Sequence, residues 1–207
     1  VIRLPSADRL VGRVPVLWRA LAAILILAGL ILLLVESRAR ILRSGTEVRL
    51  ATAPVDPRDL FRGDYVILNY KISTLDPATL DGDRDLQRNQ TVYVRLAPGA
   101  DGFAEAKGVY LARPALVPGE SVIEGRVTST GSCLARADGE PDCNLGTRAV
   151  RVAYGLESYF VPQGTGLAIE RTDRKRIEII AAVAPSGQAA IKRLLIDGRL
   201  VHAEPPY

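Results

Sequence analysis

The chain has 207 residues, 48% of them hydrophobic and 24% charged, and its formal net charge is +4. That length leaves room for one domain plus a membrane anchor, and the residues beyond the anchor suffice to bury a sizeable core. The charge does not mark a nucleic-acid binder: the first 43 residues hold seven arginines and two acids, leaving 20 basic against 21 acidic residues after Arg43, whereas a nucleic-acid footprint needs a concentrated basic face.

A basic flank, 1–15, comes first. Ala20 to Val35 then reads ALAAILILAGLILLLV without a charge, and Val16, Leu17 and Trp18 extend the run past Arg19. A helix rises ~1.5 Å per residue and the hydrocarbon core of a bilayer is about 30 Å thick, so about 20 apolar residues span it. The pattern predicts a transmembrane anchor over 16–36, with Trp18 at the interface and the Arg19 guanidinium snorkelling to the headgroups. The run is longer than the ~7–15-residue core of a cleaved signal peptide. Glu36-Ser37-Arg38-Ala39-Arg40 after it is not a small-x-small cleavage site. Ala22 and Gly29 share a helix face that allows close helix approach, a weak signal alone.

Orientation follows from two features. Four arginines precede the run or open it and three follow it, so the positive-inside rule favours a cytoplasmic N-terminus by one residue. Cys133 and Cys143 bracket LARADGEPD, whose Asp138-Gly139 and Glu140-Pro141 are turn chemistry. Cysteines on facing arms of a hairpin form a bridge that persists in an oxidising compartment; two free thiols in a surface loop are the alternative. Together these predict a single-pass protein of a bacterial inner membrane, with the N-terminus cytoplasmic and residues 45–204 in a periplasmic space. Two cysteines and the distant His202 do not make a zinc ligand set. No metal or cofactor is expected.

Beyond the anchor, alternation dominates. Strands are predicted over Thr46–Val55, Asp64–Ser73, Asn89–Leu96, Ala104–Ala112, Ser121–Ser129, Thr147–Tyr154, Arg176–Ala184, Ala189–Ile196 and Leu200–Ala203, joined by Gly, Pro and Asp turns. One short helix is predicted over Gly164–Arg174. Asp76–Asn89 reads as a polar loop, long enough to move or to meet a partner. The expected fold is all-β, mainly an antiparallel barrel or sandwich, preceded by the single transmembrane helix.

The most specific local sequence is Gly63-Asp64-Tyr65-Val66-Ile67-Leu68-Asn69-Tyr70. Gly63 permits a turn with φ > 0 into a strand, and Asp64 accepts backbone N–H bonds there. Val66, Leu68 and Tyr70 alternate onto the better core face; Tyr65 and Asn69 take the other. A strand-entry turn with an apolar face is one reading, and a functional surface of Arg58, Arg62, Asp64 and Tyr65 is the other. The loop also carries Asp56 and Asp59. Exposed ion pairs contribute only ~0–1 kcal/mol, so stability explains such a charge cluster poorly. A forked guanidinium there suits a partner carboxylate. Tyr154, Tyr159, Phe160 and Pro162 form an aromatic cluster that either fills the end of the barrel or lines a ligand pocket. Tyr159 is kept as a candidate contact residue. His202 reads as a surface residue.

The octet resembles the GDYXXLXY family at every fixed position. PVDPRDLFR (Pro54 to Arg62), YFVPQG (Tyr159 to Gly164) and Leu195-Ile196-Asp197-Gly198 are similar to members of that family as well, so the resemblance runs from about Gly45 to Gly198. It implies membrane association, no assigned reaction, and a multi-span membrane protein as partner.

An enzyme is disfavoured. A signal-peptidase-like hydrolase would share the anchor, the outside β-domain and a Gly-Asp turn, but Val55 stands where its serine belongs. Lys71 and Lys107 are available as bases, yet no serine is placed for either. Bridged cysteines leave no thiolate for a sortase-like pair. An accessory or interaction subunit of an envelope membrane complex is the expected role. A periplasmic module binding a small ligand at the aromatic cluster is the alternative.

Overall fold

The computed structural model describes residues 15–53, 65–136, 140–146, 148–161, 169 and 172–205. The chain divides into two compact units, residues up to 39 and residues from 40 onward.

The first unit is dominated by helix α1, Val16–Ser44, whose residues are exposed from 16 to 38. By length and composition it is able to cross a membrane. It runs eight residues past the predicted anchor. Its apolar stretch is exposed along its whole length, unlike the half-buried face of a helix that packs on a core.

The second unit opens with the last turn of α1. Ile41 and Leu42 pack against Ala182 and Ala190 in a small apolar cluster of their own. The Gly45 N–H donates to the Ile41 carbonyl at 2.9 Å and closes the helix. A Cβ on Gly45 would lie 2.6 Å from that carbonyl oxygen and 3.0 Å from the Val183 nitrogen, so only glycine fits between helix and sheet. Strand β1, Thr46–Ala53, starts on the next residue.

The strands in chain order after β1 are β2 (Tyr65–Ile67), β3 (Asn69–Tyr70), β4 (Thr74–Leu75), β5 (Asp81–Gly82), β6 (Thr91–Pro98), β7 (Ala104–Tyr110) and β8 (Ser121–Ser132). They continue as β9 (Leu134–Ala135), β10 (Pro141–Asp142), β11 (Ala149–Ala153), β12 (Ser158–Phe160), β13 (Ile177–Val183), β14 (Ala189–Ile196) and β15 (Arg199–Ala203). Two sheets hold most of them, in the orders β15-β14-β13-β1-β3 and β4-β11-β8-β6-β7-β5. All pairings are antiparallel except β5 with β7, and one sheet curls as a half-barrel. Two short ribbons, β9/β10 and β2/β12, complete the fold.

Alternation explains the core. Val48 and Leu50 of β1, Ile177 and Ile179 of β13, Val92, Val94 and Leu96 of β6, and Ile123 and Val127 of β8 are all buried in one cluster. Most of their neighbours along the strands are less buried, as period-two strands require; Val122, beside Ile123, is buried as well.

The fold class is the predicted one, with differences at particular places. The strand predicted over Asp64–Ser73 is broken: β2 and β3 are separated by Leu68, and Lys71–Ser73 is a 3₁₀ turn. The Asp76–Asn89 segment is held down rather than loose. Its Asp81–Gly82 pairs with β7, the Asp83 N–H donates to the Val109 carbonyl at 2.8 Å, and Leu86 is buried. Backbone pairing and Leu86 together pin it. The helix predicted over Gly164–Arg174 lies mostly outside the described residues; within it Ile169 is buried, and Arg174 opens a 3₁₀ turn, Arg174–Arg176.

Candidate functional site

The octet enters the domain through its apolar face. Val66, Leu68 and Tyr70 are each no more than 1% exposed, although the strand breaks between them. Leu68 holds its place by donating its N–H to the Glu157 carbonyl at 2.8 Å. The Tyr70 hydroxyl donates to the Leu156 carbonyl at 2.6 Å. Two links therefore tie the octet to the segment just before β12. β3 pairs with the end of β1, Thr52 opposite Tyr70, and the Thr52 hydroxyl donates to the Ile177 carbonyl at 2.9 Å.

β2 pairs with β12, placing Val66 opposite Tyr159 and Tyr65 opposite Phe160. Strand alternation then separates the two aromatics. Tyr159 is buried and Phe160 is 75% exposed. The Tyr159 hydroxyl lies 2.5 Å from His202 Nδ1, with the rings edge-on at 5.4 Å between centroids. That contact joins β12 to β15, the edge strand of the five-stranded sheet, on which Leu200 and Val201 are exposed. Burial raises the Tyr159 phenol above the usual tyrosine range, and the carboxylate of Glu204 adds to it.

Of the aromatic cluster, Tyr154 and Tyr159 fill the core, Phe160 is exposed and Pro162 lies outside the described residues. Tyr154 is buried and its hydroxyl donates to the Ile72 carbonyl at 2.6 Å, while its N–H donates to Glu157 Oε1 at 2.5 Å. Burial pushes the phenols of both Tyr70 and Tyr154 up, with Glu157 adding to each.

Of the predicted site residues, Arg58, Arg62 and Asp64 lie outside the described residues, and Tyr65 is described as the first residue of β2. Tyr159 is placed on β12, with Tyr65 one position away across the ribbon. Cys133 and Cys143 stand at disulfide distance, their Cα atoms 4.4 Å apart. Between them Arg136 binds Asp142, with Nη2 2.7 Å from the carboxylate, which is held below the usual range chiefly by the Asn144 N–H and then by that guanidinium. Of the two lysines considered as bases, Lys107 is paired with Glu105 at 2.6 Å.

Two residues of this region carried no signal in the sequence. Phe160 is indistinguishable there from the aromatics that pack inward beside it. His202 acquires its partner from a position 43 residues away, which no local pattern reveals.

One helix long and apolar enough to cross a membrane, followed by a two-sheet β-domain with a cysteine pair, is the class of architecture seen here. Within that class the chain belongs to the GDYXXLXY family: the family model, described as GDYXXLXY protein, matches residues 27–194. The match takes in the second half of α1 and ends inside β14, so Leu195–Gly198 falls beyond it. No curated protein and no solved structure matches the chain.

Proposed function

We propose that this protein is an accessory or interaction subunit of an envelope membrane complex. In this reading 16–36 is the anchor, 1–15 a cytoplasmic flank, and 45–204 a periplasmic domain of a bacterial inner-membrane protein. The cysteine pair supports that side of the membrane, since a bridge persists where the compartment is oxidising.

The observation that carries the reading is Phe160. A large apolar side chain sits exposed on a regular strand, directly across from Tyr65 of the octet. Scattered exposed hydrophobics are ordinary, but here β15, joined to β12 through Tyr159–His202, also carries exposed apolar residues, Leu200 and Val201. Exposed aromatics on a rigid support are what interface anchors are made of. Arg58, Arg62 and Asp64, the charged candidates for the same contact, precede Tyr65 in the chain and lie outside the described residues. The partner is a multi-span membrane protein. The aromatic pocket that a ligand-binding module would need is packed with Tyr154 and Tyr159 themselves.

The test is affinity purification of the full chain from gently solubilised membranes after cross-linking, alongside Arg58→Ala/Tyr65→Ala and Phe160→Ser. A stoichiometric multi-span partner that is lost in both variants, with their melting unchanged, is the expected result. A partnerless, monodisperse protein would overturn the reading.

A further inference from the structure

A cavity of about 340 Å³ opens among Ala51 of β1, the turn and strand Lys71–Leu75, the start of β7, and Leu134 and Ala135 of the cysteine loop. Its size falls within the ~300–1,000 Å³ range of small-molecule sites. None of Tyr65–Tyr70 and none of Tyr154, Tyr159 and Phe160 lines it, although the Tyr154 hydroxyl holds the carbonyl of Ile72 in its wall.

The walls are of two kinds. Leu75, Leu80, Phe103 and Leu134 give it an apolar side. Four charged side chains also line it: Lys71, Asp76, Asp101 and Glu105. Two of these, Asp76 and Glu105, have their charge answered by a cation inside the protein, and Asp101 is engaged by the backbone of its own turn. Asp76 takes Arg148 on both oxygens, Nε at 2.9 and 3.0 Å, and this hydrogen bonding holds its carboxyl below the usual range. Glu105 is bound by Lys107. Asp101 accepts the Phe103 N–H at 3.0 Å. Among the described residues Lys71 makes no such contact, and it is exposed at the cavity.

We propose that this cavity binds a small amphiphilic monocarboxylate, its apolar body against Phe103, Leu75 and Leu134 and its carboxylate on the Lys71 ammonium. Asp76 and Glu105 are matched by cations and Asp101 is turned to the Phe103 N–H, so Lys71 is the one lining cation open to an anionic head. A neutral or cationic ligand would leave Lys71 without a partner. A single compact ammonium without a guanidinium fork suits one negative charge better than a phosphate dianion. Leu134 sits beside Cys133, so the cysteine pair fixes one wall of the site.

The test uses the full chain in lipid nanodiscs and ¹⁹F line broadening of 3-(4-fluorophenyl)propionate, with the matching alcohol and amine as controls and empty nanodiscs subtracted. The carboxylate is expected to broaden, the alcohol less, and the amine not at all. Lys71→Glu should weaken carboxylate binding about tenfold or more, the loss of one charge-assisted hydrogen bond. Thr79→Trp, an exposed rim position, should block it while leaving melting unchanged. Equal broadening of alcohol and carboxylate, an unaffected Lys71→Glu protein, or no broadening with the unaltered chain would overturn the proposal. These outcomes are independent of whether a membrane partner is recovered.

Discussion

The Tyr159 hydroxyl meets His202 Nδ1 at 2.5 Å, across 43 residues of sequence. It is the contact that holds the last strand of the five-stranded sheet against the ribbon carrying the octet. Its loss should be felt locally before it is felt globally. Tyr159→Phe removes a part-buried hydrogen bond and should cost about 1 kcal/mol in denaturant unfolding. Amide hydrogen exchange should rise first in β15 and β12. Uniform loss of protection throughout the domain would contradict a local pin.

Three buried phenols set the alkaline limit of the fold. Tyr70, Tyr154 and Tyr159 all have ionisation pushed up, first by burial. A group whose pKa is raised on folding contributes its stability below the unfolded value, here about 10, and loses it as pH climbs through the folded value. Stability should therefore drop steeply above pH ~10, by about 1.4 kcal/mol per pH unit for each of these tyrosines. The urea midpoint from pH 8 to 11 measures this, and Tyr159→Phe should flatten the slope.

The acid limb should be shallower. Glu47, Asp76 and Asp197 are depressed chiefly by Lys192, Arg148 and Arg176. Depressed carboxylates contribute above their unfolded pKa of about 4, and the contribution fades as pH falls through the folded value. These pairs are solvent-accessible, so screening keeps each of them weak. A midpoint that falls only slightly between pH 6 and 4, and further below 4, is the expected profile.

Gly45→Ala should destabilise the β-domain by about 1–3 kcal/mol, because its Cβ would be driven into backbone atoms that have nowhere to move. Gly29→Ala is the matched control. Nothing lies within 4 Å of a Cβ there, and domain unfolding should be unchanged.

Reducing the Cys133–Cys143 pair should lower stability by ~2–3 kcal/mol, the entropy released by opening so short a loop. Comparing denaturation midpoints with and without reductant measures the effect, and thiol trapping in intact cells reports the compartment. An unchanged midpoint and freely labelled thiols would mean that the two cysteines stand close without bonding.

What the sequence makes legible here is period. Val66, Leu68 and Tyr70 turn inward as their alternation predicts, even where the strand is interrupted, since burial depends on side-chain direction and not on an unbroken hydrogen-bond ladder. The long strands β6, β8, β13 and β14 are legible for the same reason. β12 is not: three residues carry no measurable period, and its partner β2 lies some ninety residues earlier. Nor is the anchoring of Asp76–Asn89, where Leu86 is one apolar residue among charges. The cavity is the least legible part, because its lining comes from five separate stretches of chain.

α1 does not stop where its apolar run stops. Nine residues, Glu36 to Ser44, continue the helix beyond Val35, a stub of about 13 Å at ~1.5 Å per residue. Its last turn belongs to the β-domain: Ile41 and Leu42 are buried against Ala182 and Ala190, so these residues are spent on protein core and not on lipid. A soluble version of the domain therefore has to keep the end of the helix, and trimming the chain back to β1 would uncover an apolar spot on the sheet.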